Sequence, residues 1–213
     1  MCEILVSKRK FRRIEFYQAW QRDGLGVAVI GQGGNIRTWK CLRIEELDTV
    51  IDKYSREARD GLHILHARLA TRGNLAIENV QPFVDKARGR LFAHNGDLGD
   101  ETVAILKSVA KVLGYPGSDD DSDTLLLWVI LQRLSWDESV ELLGELSSGQ
   151  FGQRFVLAEV ERAALFGHWE KRGEIWTRGY AASRVIIEHG RETVVPWVHR
   201  SPYSRRYYLW DLE

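Results

Sequence analysis

Cysteine is nearly missing from this chain: 213 residues carry only Cys2 and Cys41. Two thiols make no disulfide framework, so one or both stay free for chemistry. Net charge is missing as well, because thirty Lys and Arg cancel thirty Asp and Glu, which removes any global electrostatic case for nucleic acid or an anionic membrane surface. There is no apolar run long enough to span a bilayer, and the first residues lack the apolar core of a signal peptide. A cytoplasmic location is therefore the expectation. Repeats, low-complexity tracts and Ser/Gly/Pro linkers are also absent, and the length suits one sizeable core, so a single domain over 1–213 is expected.

What is there alternates between strand-like and helical text. Residues 2–7 read as a first strand that would pin the N-terminus, and 23–30 and 36–42 as strands joined by a glycine-rich turn at 31–35. Leu47, Val50, Ile51, Tyr54 and Ala58 recur at helical spacing within 45–59. Residues 62–68 are again strand-like, and 90–93 form a short strand running into the turn signal His94-Asn95-Gly96-Asp97. Helices are expected at 102–113, at 122–132 with Ser122 as N-cap, and at 137–146. Strands follow at 154–160, 163–168, 175–178 and 183–187. This order argues for antiparallel sheets layered with helices, an α+β fold, and against a doubly wound parallel sheet.

Four polar clusters interrupt these elements. Cys2 directly follows the initiator, so removal of Met1 would place a thiol (pKa ~8.5) and an α-amine (pKa ~8) on one residue. In His66-Ala67-Arg68-Leu69-Ala70-Thr71-Arg72-Gly73, an arginine ends an apolar strand and calls for an anionic partner. His94-Asn95-Gly96 offers a side-chain amide and a closely approachable glycine N–H as oxyanion donors. Ser122-Asp123-Thr124 offers a carboxylate for an ammonium, as the Arg68 guanidinium offers a fork for a carboxylate. Nucleophile, base, oxyanion donors and a zwitterion grip are what hydrolysis of an amino-acid amide requires.

These clusters in this order resemble the class II glutamine amidotransferases of the N-terminal-nucleophile hydrolase superfamily. The matching text is Met1-Cys2-Glu3, Asp23-Gly24-Leu25-Gly26, the block 66–73, Glu78-Asn79-Val80-Gln81-Pro82-Phe83, His94-Asn95-Gly96 and Ser122-Asp123-Thr124. Tyr180-Ala181-Ala182-Ser183 and Val194-Val195-Pro196-Trp197 are weakly similar to the family's closing strands. The resemblance implies a four-layer αββα sandwich of two mainly antiparallel sheets between helices. It also implies that Cys2 attacks the side-chain amide of glutamine to give a γ-glutamyl thioester and ammonia, with no metal or other cofactor. By position, Arg68 would bind the substrate α-carboxylate, Thr71 and Arg72 would line the same pocket, and Asn95 and Gly96 would form the oxyanion hole. Asp123 would hold the α-amino group and His94 would support the turn. The text Glu78 to Phe83 looks closest to small stand-alone members of the class. The sequence departs from the family at Leu69, often aromatic, at Gln81, often histidine, and at Leu125, often glutamate.

Other features have simpler readings. His63 and His66 fall on opposite faces of a strand and complete no metal site. Residues 119–121 are a solvated acidic loop, residues 31–35 lack the strand-to-helix context of a phosphate loop, and Cys41 is a small buried residue. The basic and aromatic tail 201–210 reads as a packed terminal strand rather than a partner or nucleic-acid surface. Nothing after Arg154 resembles an acceptor-binding domain, which leaves three functions open. They are a glutaminase that delivers ammonia to a separate synthase subunit or to water, a hydrolase of another γ-glutamyl amide, and a non-catalytic glutamine-binding or assembly subunit. The joint presence of Cys2, Arg68, Asn95, Gly96 and Asp123 argues against the last. Oligomeric state is left open.

Overall fold

Alternation of side chains along each strand decides which face meets which layer. On β4 (Gly61–Ala67), Ile64 joins a core shared between two sheets while Leu65 and Ala67 join a core beneath helices. The same division holds for β1 (Glu3–Ser7), β2 (Leu25–Gly31) and β3 (Ile36–Cys41), so this sheet has two buried faces. The computed structural model describes residues 2–149, 153–189 and 191–196.

The first sheet runs β3-β2-β4-β1, every neighbour antiparallel. Its outer face is covered by α1 (Arg13–Ala19) and α2 (Leu47–Glu57), whose Phe16, Leu47, Val50, Ile51 and Tyr54 pack on Leu25, Val27 and Leu65. The second sheet contains β5 (Phe83–Asp85), β6 (Arg90–Asn95), β7 (Arg154–Glu159), β8 (Arg162–Arg172), β9 (Ile175–Glu188) and β10 (Arg191–Pro196), again antiparallel. Phe92, Phe155, Leu157 and Phe166 face outward from it onto α3 (Asp100–Val112), α4 (Asp123–Leu131) and α5 (Trp136–Gly149). Leu91, Ala93, Val156, Ala158 and Leu165 face inward and meet Ile4, Val6, Ala28 and Ile64 of the first sheet. The result is the αββα sandwich expected from the sequence.

The two sheets are not separate ribbons. The long strand β9 pairs with β1 at its start and with β10 at its far end, while β8 follows it throughout with a register shift between His168 and Trp169. Hydrogen bonding is thus continuous from one layer to the other.

The strands expected at 175–178 and 183–187 are therefore one element, because β8 pairs with it on both sides of the register shift. The turn expected at 94–97 begins one residue pair later: His94 and Asn95 still pair with Phe155 and Arg154. The helix α2 is entered through a short 3-10 turn at Ile44–Glu46. The tail 201–210 and Trp197 lie outside the described residues.

Candidate active site

Strand register brings the four clusters to one end of the sandwich. Glu3 pairs with Ala67, so Cys2 lies beside the chain leaving β4 at Arg68. The Cys2 thiol donates to the Leu69 carbonyl at 3.3 Å and accepts from the Leu69 N–H at 3.2 Å. From the facing sheet Asn95, the last residue of β6, donates its Nδ2 to the Cys2 carbonyl at 2.6 Å. Burial pushes the Cys2 thiol above the usual cysteine range, against the opposing pull of the Leu69 N–H and the Arg68 cation.

Arg68 is 3% exposed. Its guanidinium donates to the carbonyls of Asn74 at 2.9 Å, Arg72 at 3.0 Å and Gly73 at 3.5 Å, so it ties down the loop that follows it. Burial lowers its affinity for a proton, while the acidic groups Asp23, Cys2 and Asp123 nearby oppose that shift. Asp23 also fixes the backbone here, accepting from the Ala70 N–H at 2.7 Å. Gly73, at φ 75°, is the position where this loop touches the next: a Cβ there would stand 2.8 Å from the Ser122 nitrogen. Thr71 is solvent-exposed. Arg72 is paired with Asp97 at 3.3 Å and Asp100 at 2.6 Å, which links the Arg68 loop to the turn that follows Asn95 and to the start of α3.

Asp123 opens α4, whose N-cap is Ser122, its Oγ accepting from the Leu125 N–H at 3.1 Å. The Asp123 carboxylate accepts from the N–H groups of Leu98 at 3.1 Å and Thr124 at 2.7 Å, so it also holds the turn after Gly96. Gly96 has φ 148°, and a Cβ there would fall 2.1 Å from the Gln153 Oε1, which packs against it. His94 faces the helical side, stacked on Phe155 with centroids 4.6 Å apart. Its Nδ1 contacts Thr124 Oγ1 at 2.9 Å and its Nε2 contacts Gln153 Oε1. Burial holds it below the usual histidine range. It braces the turn, and both ring nitrogens are engaged.

Two contributors, Gln153 and Arg154, have no role in the sequence reading, and a third, Gln81, stands there only as a departure from the family pattern. Gln153 bridges His94 and the Asp97 carbonyl. Gln81 accepts from the His94 backbone N–H at 2.6 Å. Arg154 places Nη2 at 3.4 Å from the Cys2 carbonyl. Gln153 and Arg154 lie in no motif with its own chemistry, and only the tertiary contacts show that all three converge. Leu69, a departure from the family pattern, acts here through its backbone, which any residue supplies. Among the described residues no cluster of His, Cys, Asp and Glu fit to hold a metal is present. His63 and His66 do point to opposite faces: His63 Nδ1 meets Tyr54 Oη at 2.8 Å under the helices, and His66 Nε2 meets the His94 carbonyl at 3.1 Å between the sheets.

Known proteins resemble this chain in sequence or in fold. A family model described as glutamine amidotransferases class-II matches residues 2–163. A putative glutamine amidotransferase of Haemophilus influenzae is 31% identical over 99 residues, covering 45% of this chain and 33% of that protein. An amidophosphoribosyltransferase of Methanocaldococcus jannaschii is 29% identical over 146 residues, covering 65% of this chain and 29% of that protein. The matches thus span a third or less of these relatives' lengths. The glutamine phosphoribosylpyrophosphate amidotransferase of B. subtilis superposes with a TM-score of 0.67 at 15% identity, over 92% of this chain and about half (49%) of that one. A glutamine aminotransferase class-II domain protein of Silicibacter pomeroyi gives 0.57 at 12% identity, over 92% of this chain and 99% of that one, a likeness of fold. With the family match extending from Cys2 across β1 to β7, this chain belongs to the class II glutamine amidotransferases.

Proposed function

We propose that the chain is a cysteine amidohydrolase in which Cys2, freed of Met1, attacks the side-chain amide of glutamine. The observation that carries this reading is the environment of the Cys2 thiol. Burial raises its pKa, and the hydrogen bonds it makes among the described residues are to backbone groups, those of Leu69 first, with no imidazole or carboxylate among them. Of the histidines at this end, His66 turns Nε2 to the His94 carbonyl and His94 turns its two ring nitrogens to Thr124 and Gln153, and neither ring is hydrogen-bonded to the thiol, so neither is placed to serve as its base. An α-amine on Cys2 itself supplies the missing acceptor at neutral pH.

In the proposed cycle the amine takes the thiol proton as sulfur bonds to the amide carbon and the carbonyl electrons move onto oxygen. The Gly96 N–H and the remaining Asn95 Nδ2 proton face that oxyanion. The carbon–nitrogen bond then breaks, the proton passes to the leaving nitrogen, and ammonia departs from a γ-glutamyl thioester. Water adds to the thioester, glutamate leaves and the thiol is restored. Arg68 receives the substrate α-carboxylate with guanidinium hydrogens not used by the loop, and Asp123 the α-ammonium. Thr71 and Arg72 line the rim of this pocket, and His94 supports the oxyanion turn.

We read 1–213 as one amidotransferase domain acting in the cytoplasm, where free thiols persist; no helix among the described residues is long and apolar enough to cross a membrane. The ammonia passes to a separate acceptor-binding subunit or to water. The test is ammonia release from glutamine by purified protein. Wild type is expected to release it and Cys2→Ala to release none; equal release by the variant would assign the activity elsewhere.

A further inference from the structure

Asn95 and Arg154 are directly opposed in the β6–β7 ladder. Two residues along each strand, Ala93 and Val156 belong to the core between the sheets, so Asn95 and Arg154 also point inward, toward the first sheet. Both reach the same atom, the Cys2 carbonyl oxygen, Asn95 at 2.6 Å and Arg154 at 3.4 Å.

Arg154 is 2% exposed. Its Nη1 lies 3.4 Å from Glu3 Oε1, which also accepts from Thr177 Oγ1 at 3.3 Å, and its guanidinium carbon lies 5.4 Å from the centre of the Trp169 ring. These polar contacts are long, and Glu3 keeps 26% of its side chain exposed. A buried cation with loose partners is a poor stabiliser, since an apolar side chain of similar size would avoid its desolvation. Burial accordingly lowers its proton affinity against the pull of Glu3 and Cys2, with Arg178 adding repulsion.

We infer that Arg154 is a positioning residue for the nucleophile: braced by Glu3 and Trp169, its guanidinium fixes the Cys2–Glu3 peptide and holds a positive charge beside Cys2. Two cations then flank this residue, Arg68 from the end of β4 and Arg154 from β7, against the carboxylates of Glu3, Asp23 and Asp123. A positive charge at this place favours thiolate over thiol and neutral amine over ammonium, the two states needed for attack.

The inference rests on Cys2 being the nucleophile, and its test separates the two ideas. The alkylation rate of Cys2 by iodoacetamide, located by peptide mapping to distinguish it from Cys41, is measured between pH 6 and 9 alongside kcat and KM for glutamine. Arg154→Met is expected to slow alkylation at pH 7 about tenfold, the factor one pKa unit carries. The wild-type rate should return toward pH 9. Its kcat should fall by a similar factor with KM within about twofold, and Arg154→Lys, which keeps the charge, should recover part of both. Wild-type alkylation at pH 7 in folded Arg154→Met overturns the inference. If that variant does not fold, the double variant Glu3→Gln, Arg154→Met removes the stranded carboxylate with the cation, and the same two results decide. Slowed alkylation in a protein whose wild type releases no ammonia would defeat the glutaminase reading and leave the positioning role standing.

Discussion

Arg68 serves the loop and the proposed substrate with one guanidinium. Its contacts to Asn74, Arg72 and Gly73 use part of a five-hydrogen fork, and the rest of the fork is what a carboxylate would meet. Lysine keeps the charge but not the fork, so Arg68→Lys is expected to raise KM for glutamine about tenfold or more with a smaller change in kcat, read by steady-state ammonia release. Truncation to alanine should cost on the order of 2–5 kcal/mol of binding. Gly96 is constrained differently: its φ of 148° and the 2.1 Å approach of Gln153 to a would-be Cβ leave no room for a side chain. Gly96→Ala should lower kcat by about a hundredfold, as loss of an oxyanion donor does, with KM changed little; an unchanged kcat would remove Gly96 from the oxyanion site. The glycine was legible in the sequence because Asn-Gly announces a turn. Gln153, which shapes the space around it, was not, because no local pattern connects residue 153 to residue 96.

At the scale of elements, periodicity told most where a stripe or alternation was long. The α2 stripe of Leu47, Val50, Ile51 and Tyr54 is the buried face found. Seven-residue α1 and three-residue β5 are too short to show a period, and β10 is defined by its pairing with β9 more than by its own composition. Capping was also legible: Ser122 is the N-cap of α4. Ser122→Ala should cost about 1 kcal/mol in urea unfolding while leaving the helix start in place. Packing between elements was not. Gly26 on β2 lies so close to the segment before β5 that a Cβ would stand 2.0 Å from the Gln81 carbonyl oxygen, a backbone atom with no rotamer to yield. Gly26→Ala should therefore destabilise by at least about 3 kcal/mol, beyond ordinary overpacking, measured by the same unfolding curve.

For the whole molecule, the four layers leave two histidines buried in the first sheet, and their titration sets an acid limit. Burial lowers His63 to about 4 and His66 to about 3. His63 Nδ1 meets the Tyr54 hydroxyl, which also accepts from the Phe11 N–H, and its burial there favours the neutral imidazole. Each group has a folded pKa below its unfolded value near 6.5, so the unfolded chain binds more protons in between. Stability is then fully present above pH 6.5 and declines as pH falls toward 4 and below. Melting temperature should drop between pH 6.5 and 4.5, and His63→Gln should flatten part of that slope; a pH-independent melting temperature over this range would contradict the buried neutral state.

The layer order was readable from the alternation of strands and helices together with the family resemblance. The joining of the two sheets through β9 was not, because its pairings with β1, β8 and β10 are all long-range. That joining, with the β1–β4 and β6–β7 registers, is what brings Cys2 under Asn95 and Arg154. The central claim, that Cys2 as an N-terminal residue is the nucleophile, is met most directly by intact-mass measurement after incubation with a glutamine-mimicking diazoketone. The account predicts a single adduct on a chain lacking Met1, mapped to Cys2 and absent from Cys2→Ala; active protein that retains Met1, or an adduct at any other residue, would contradict it.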